Sequence, residues 1–168
     1  MFGRLPARAA VAIAVLAAIF AAYQWWNSPE RQIARILTAV DAALTHEEPG
    51  TGLDALTAVA ELQQYLAPDV SIETGGPSGP ITGRQDAVSV AARIRAGSPM
   101  MRIQWFDTEI AFEGETRAEV RSTAQVTMAD ASGQEVVDVH QVEARVEKQD
   151  GVWVVTAARR DPGQERAR

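Results

Sequence analysis

The sequence predicts an α+β domain, three helices packed on a curved antiparallel sheet, behind an N-terminal transmembrane helix. Two observations support this prediction. The first is an uncharged apolar segment over residues 9–26. The second is a change near Met100, where apolar residues stop recurring every three or four positions and begin to alternate. The first spacing is typical of a helix and the second of a half-buried strand. We therefore divide the chain into an anchor at residues 1–26, a folded domain at 27–161 and a charged tail at 162–168.

The apolar segment has the length of a membrane span, because the eighteen residues 9–26 cover roughly 27 Å as a helix and the hydrocarbon core is about 30 Å thick. Two arginines, Arg4 and Arg8, precede the segment. Three aromatic residues lie at its C-terminal end, Tyr23, Trp25 and Trp26, and their rings suit the headgroup layer of a membrane. A cleaved signal peptide with its core at residues 9–22 is the alternative. We expect residues 9–26 to contact the lipid bilayer of a bacterial inner membrane as a single pass, with the C-terminal domain facing the periplasm or cell exterior.

The rest of the chain is acidic. Residues 27–168 contain 14 Lys and Arg against all 22 Asp and Glu of the protein. Such a surface repels phosphate backbones, so nucleic-acid binding is excluded. The chain has no cysteine and two distant histidines, which leaves no spacing typical of a metal site. The glycine-rich stretch at residues 75–79 has no lysine of a phosphate-binding loop. We therefore expect no metal and no cofactor.

Capping residues predict where the first two helices begin. Ser28-Pro29-Glu30 combines an N-cap, a proline at the first helical position and an acid in the first turn. The apolar stripe that follows continues to about Thr45. Thr51 and Asp54 form a capping box for the second helix, which we expect to extend to Pro68.

A short strand is expected at residues 69–74, followed by a third helix. Thr82 and Gln85 resemble a second capping box, and Gly97 marks the end of the helix. Apolar residues at helical spacing predict its buried face: Ala87, Val88, Ala91 and Ile94.

Four alternating runs follow Met100 and predict a meander. They cover residues 101–112, 117–128, 135–148 and 152–159. Glycine-containing turns separate them, and Asp150-Gly151 is the strongest hairpin signal. The alternation predicts one buried and one solvated sheet face.

The order of three helices and a curved meander resembles the nuclear transport factor 2-like superfamily, which includes SnoaL-like polyketide cyclases and steroid isomerases. Three stretches are similar to that family: Tyr65-Leu66-Ala67-Pro68-Asp69-Val70, Ile81-Thr82-Gly83-Arg84 and Asp150-Gly151-Val152-Trp153. The resemblance spans about residues 30–160. It implies a cystatin-like cone, in which a long sheet wraps around helices and leaves a pocket at its mouth.

The resemblance says less about activity. Isomerases of the superfamily use a tyrosine and paired acids inside the cone, whereas the tyrosines of this chain are Tyr23 and Tyr65 and the set cannot be matched residue by residue. An anchor joined to such a domain also resembles a group of small bacterial envelope proteins. We therefore expect a non-enzymatic envelope module that binds a small apolar ligand or, through its sheet, a second copy or a membrane-complex partner.

Asp138 and His140 are the candidate catalytic residues. They alternate along one predicted strand face with apolar neighbours: Val136, Val142, Ala144 and Val146. An aspartate that orients a histidine beside a pocket could perform general acid-base catalysis, so an isomerase or dehydratase is the alternative function. The competing interpretation places both residues at the solvated end of the strand. A purely structural subunit of a membrane assembly is the third function considered.

Three aromatic residues are the candidates for the walls of a ligand pocket: Trp105, Trp153 and Tyr65. Large rings on strands fit either a core or a ligand-stacking surface. His46, at the predicted end of the first helix, is expected to cap that helix.

Overall fold

The computed structural model describes residues 15–19, 28–48, 51–75, 79–129 and 132–161. Within these residues the α+β prediction is confirmed: three helices lie against one curved sheet. The sheet has six strands, which are the four of the predicted meander, the strand expected near residues 69–74, and a short strand at residues 81–82 that was not predicted.

The helices that pack on the sheet are α1 (Pro29–Leu44), α2 (Gly52–Ala60) and α3 (Arg84–Gly97). The strands are β1 (Leu66–Glu73), β2 (Ile81–Thr82), β3 (Met101–Phe112), β4 (Arg117–Ala129), β5 (Glu135–Gln149) and β6 (Val152–Arg160). Their order in the sheet is β2-β1-β6-β5-β4-β3. All neighbouring strands are antiparallel except β1 and β6, which are parallel.

Most of the predicted anchor at residues 9–26 lies outside the described residues, as does the tail at 162–168. Residues 15–19 are helical and exposed. In the part of the chain that the structure describes, no helix has both the length and the apolar character needed to cross a bilayer.

The predicted starts of α1 and α2 are confirmed. Pro29 is the first residue of α1, and its N-cap is Ser28, whose side chain makes no capping hydrogen bond. The α2 capping box is complete, because the Thr51 N–H donates to Asp54 Oδ2 at 3.1 Å and the Asp54 N–H donates to Thr51 Oγ1 at 3.3 Å. Two otherwise unpaired amide groups are thereby satisfied.

The second predicted capping box, Thr82 with Gln85, is wrong. Gly83 is the N-cap of α3, and no side chain caps the helix. Thr82 is instead paired with Ser71 in the β1–β2 ladder. Gly83 has a φ of 94° and its N–H donates to the Val70 carbonyl at 2.7 Å, a backbone conformation that glycine adopts without strain.

The second helix is also shorter than predicted. It ends at Ala60, continues as a 3₁₀ turn over Glu61–Tyr65, and gives way to β1 at Leu66. The expected strand at residues 69–74 therefore begins earlier. Its Ala67 and Val70 are completely buried, so pairing with β6 and burial outweigh the helical spacing of the local sequence.

The charge of Asp54 makes the α2 capping box sensitive to pH. Hydrogen bonds from the Thr51 hydroxyl and then from the Thr51 backbone N–H lower the pKa of the Asp54 carboxyl. A lowered folded-state pKa means that the stabilisation is present above the pKa of the unfolded chain and is lost as the pH falls through the folded value.

We expect Asp54→Asn to reduce the free energy of unfolding at pH 7. Near pH 2, which is below the usual pKa range of aspartate, we expect little change because the carboxylate becomes protonated. Urea denaturation of both chains at the two pH values measures this. An equal loss at both would show that the carboxylate charge has no part in the cap.

Candidate functional site

An apolar cavity of about 310 Å³ lies between the helices and the sheet. Its walls come from α1, α3 and the inner face of the sheet. The lining residues include Ile33, Ile36, Leu37 and Val40 of α1, Val90, Ala91 and Ile94 of α3, and Val120, Val142, Ala144, Val146 and Val155 of the strands. Among its lining residues, Tyr65, Thr74 and Trp105 are those that carry a polar side-chain group.

Small side chains leave this space unfilled. Four alanines line it: Ala87 and Ala91 on α3, and Ala144 and Ala158 on the sheet. Protein interiors are normally packed to crystal density, so an apolar cavity of this size loses dispersion contacts along its walls. A ligand that filled the cavity would restore those contacts.

Ile94 departs from its predicted place in the core. It is 42% exposed, whereas Ala92, absent from the predicted face, is buried. Ala87 and Val88 are buried as expected. Ile94 lines the cavity instead of packing against the sheet. It belongs to the apolar stripe of α3, but at this position the stripe faces an open space.

Of the three aromatic residues expected around a pocket, Tyr65 and Trp105 line the cavity and Trp153 does not. Trp153 is 2% exposed and belongs to the hydrophobic core. Its ring packs edge-on against Phe112, with ring centroids 6.0 Å apart, which is a favourable aromatic geometry.

The structure brings Asp138 and His140 into contact, with His140 Nε2 3.1 Å from Asp138 Oδ2. Neither residue is among those that line the cavity. The His140 side chain is 20% exposed and that of Asp138 is 59% exposed. Because residues two apart in a strand share a face, His140 lies on the same side of β5 as the cavity-lining Val142. The pair therefore sits beside the cavity, on the inner face of the sheet.

The contact with Asp138 fixes the proton on the His140 ring. A carboxylate only accepts hydrogen bonds, so His140 Nε2 carries the hydrogen. In the neutral ring Nδ1 then holds a lone pair. Nδ1 is shielded from solvent and has no hydrogen-bond partner among the described residues, and the same is true of the indole nitrogens of Trp105 and Trp153.

His46 has a structural position at the end of α1. Its Nδ1 lies 2.8 Å from the Leu44 carbonyl oxygen and its Nε2 lies 2.8 Å from that of Ser98. Its backbone also pairs with Met101 at the start of β3. His46 thus joins the ends of α1 and α3 to the sheet, a wider role than the helix capping expected from the sequence.

Arg95 of α3 makes a second connection to the end of α1, which the sequence did not indicate. Its Nη1 donates to the carbonyl oxygens of Ala43 at 2.7 Å and Thr45 at 3.0 Å. These carbonyls lie at the C-terminal end of α1, where backbone acceptors have no helical partner. The two helices that wall the cavity are therefore tied together at one end.

The outer face of the sheet is charged. Glu143 accepts hydrogen bonds from Arg159 Nε at 2.8 Å and Arg121 Nε at 3.1 Å. The hydrogen bond from Arg159 is the main cause that lowers the pKa of Glu143, and the same bond raises the pKa of Arg159. Among the described residues, no group of three acidic or histidine side chains is arranged to hold a metal ion.

Solved structures with the same fold include proteins whose names are those of enzymes. A protein provisionally named a scytalone dehydratase, from Novosphingobium aromaticivorans, is 20% identical over 78% of this chain and 81% of that one, with a TM-score of 0.64. A type 2 LinA hexachlorocyclohexane dehydrochlorinase is 11% identical over 79% and 83%, with a TM-score of 0.66. A provisionally named dehydratase of the NTF2-like family from Streptomyces avermitilis is 17% identical over 80% and 98%, with a TM-score of 0.61.

At these identities the solved structures establish the fold and not the reaction. No curated protein matches the sequence of this chain. The family model of the SnoaL-like domain, however, matches residues 33–159, which include most of α1, nearly all of β6 and every element between them. The chain belongs to the SnoaL-like domain family and has the NTF2-like fold.

Proposed function

We propose that the domain binds a small, largely apolar ligand in the cavity between its helices and its sheet. The observation that supports this most directly is the lining, which is aliphatic except for Tyr65, Thr74 and Trp105. The volume of about 310 Å³ falls at the lower end of ligand sites, which hold roughly 300–1,000 Å³. One similar structure is named for a small apolar molecule, hexachlorocyclohexane.

The chemistry of the walls favours an apolar occupant over water. A buried water needs two to four polar partners, and the aliphatic side chains offer none. Burial of an apolar ligand is favourable by about 25 cal/mol for each Å² removed from water. Affinity for such a ligand therefore depends on the space that the alanines leave open.

Filling that space should weaken binding. We expect Val142→Phe, which adds a ring at the cavity wall, to weaken the binding of naphthalene at least about tenfold, a loss of roughly 1.4 kcal/mol. Val139→Phe is the matched control, because Val139 lies three residues away on the exposed outer face of β5. Isothermal titration calorimetry of the purified chain measures both. Unchanged affinity in Val142→Phe would place the binding elsewhere.

Catalysis by Asp138 and His140 is the second candidate function. The observation in its favour is the 3.1 Å contact between His140 Nε2 and Asp138 Oδ2, which leaves Nδ1 as a proton acceptor on the inner face of the sheet. A base in that position suits an isomerase or a dehydratase, reactions in which a proton is removed beside a carbonyl group. Two similar structures are named as dehydratases.

A dehydratase of this kind should lose activity without its histidine. On a panel of apolar β-hydroxy ketones, we expect His140→Ala to lower the rate of enone formation about 100-fold or more, and Asp138→Asn to lower it less, because the aspartate only orients the ring. Glu135→Gln, an exposed acid on the same strand, is the control. Equal rates in the original chain and in His140→Ala would exclude this function.

We further propose that residues 9–26 anchor the domain in a bacterial inner membrane, so that it faces the periplasm or the cell exterior. The support lies in the sequence: eighteen uncharged residues with arginines before them and aromatic rings at their end. This arrangement is typical of a retained first span.

Membrane extraction tests the anchor. We expect the full chain to stay in the membrane pellet after an alkaline carbonate wash, and Leu16→Arg to weaken that retention because a charge near the bilayer centre is costly. Leu53→Arg, at an exposed position of α2, is the control. A mature chain whose mass lacks the first 22 or more residues would show a cleaved signal peptide instead.

A further inference from the structure

Two ring side chains lie on either side of a single small residue on the inner face of the sheet. Trp105 on β3 pairs with Ala124 on β4, and Ala124 pairs with His140 on β5. Residues directly opposite in antiparallel strands project to the same side. Trp105 lines the cavity, so this row belongs to the face that the cavity occupies.

The row concentrates hydrogen-bonding capacity that the protein does not use. Trp105 Nε1 and His140 Nδ1 are shielded from solvent, and neither has a hydrogen-bond partner among the described residues. A buried polar group without a partner costs free energy of folding. Both groups belong to one cross-strand row beside an otherwise aliphatic cavity. A site that binds a polar ligand atom would contain such groups.

The two nitrogens have opposite roles. The indole Nε1–H can only donate a hydrogen bond. His140 Nε2 gives its hydrogen to Asp138 at 3.1 Å, so Nδ1 of the neutral ring can only accept. A hydroxyl group is the simple uncharged group that accepts from one and donates to the other. A carbonyl or an ether oxygen could satisfy Trp105 but would leave His140 without a donor.

We propose that Trp105 and His140 form the polar end of the cavity and bind the hydroxyl group of an otherwise apolar ligand, an alcohol or a phenol. This inference rests on the proposed function of the cavity as a ligand site. Ala124 is buried and places only a methyl group between the two rings. Both nitrogens are shielded, so the rings must turn toward the cavity to bind an oxygen atom. The aliphatic walls then surround the rest of the ligand.

Three probes of nearly equal shape test the hydroxyl preference: naphthalene, 2-naphthol and 2-methoxynaphthalene. We expect the full chain at pH 7.5 to bind 2-naphthol about tenfold more tightly than naphthalene, the size of effect that a net hydrogen bond produces. The methoxy compound, which accepts but cannot donate, should bind more weakly than the naphthol. Calorimetric titration gives all three affinities.

Substitutions assign the preference to the two rings. Trp105→Phe and His140→Phe keep an aromatic ring and remove the nitrogens, and each should bring the ratio of naphthol to naphthalene affinity close to one. Trp153→Phe is the matched control, because it removes a buried, unpartnered indole N–H from the core and should leave the ratio unchanged. Should a ring variant fail to fold, Ala124→Val, which fills the gap between the rings, should lower the same ratio.

The outcomes separate this inference from the proposed function. If naphthalene binds but the three probes bind equally, the hydroxyl site is refuted and the apolar cavity stands. If the naphthol preference persists in both ring variants, the hydroxyl is bound elsewhere and the assignment to Trp105 and His140 is refuted. If no probe binds the original chain, the proposed function fails and this inference fails with it.

Discussion

The antiparallel pairing of β3, β4 and β5 is the constraint on which the rest of the structure depends. The β4–β5 register runs without a break from Arg117 opposite Glu147 to Ala129 opposite Glu135. Because side chains alternate, a shift of one residue would move every apolar side chain to the solvated face. The unbroken register keeps His140 and Val142 beside the cavity and directs Glu143 to the charged outer face.

The helices complete the cavity without filling it. Leu37 and Val40 of α1 and Ile94 of α3 present apolar side chains to the sheet, but alanines on both walls prevent close packing. His46 and Arg95 hold the ends of the two helices in place through backbone carbonyls. The open space therefore depends on polar contacts at its edge as well as on the apolar side chains around it.

Local patterns in the sequence predicted most of the elements, and non-local pairing explains the differences. The α2 capping box and the strand following the Asp150-Gly151 turn depend on neighbours in sequence, so they were predictable. The parallel pairing of β1 with β6 joins distant segments, and it changed residues 66–68 from expected helix to strand. Tyr65 and Trp105 were predicted at the pocket, but the burial of Trp153 and the unpartnered ring nitrogens depend on tertiary packing, which periodicity does not show.

The position of β6 between β1 and β5 also determines when the domain can fold during synthesis. The helices and β1 leave the ribosome early, yet β1 gains its principal neighbour only when the nine residues of β6 have emerged. Pairings so distant in sequence form slowly because they must first close a long loop. Until then the apolar helices have no complete sheet to cover them, and chaperones have their longest opportunity to bind the nascent chain.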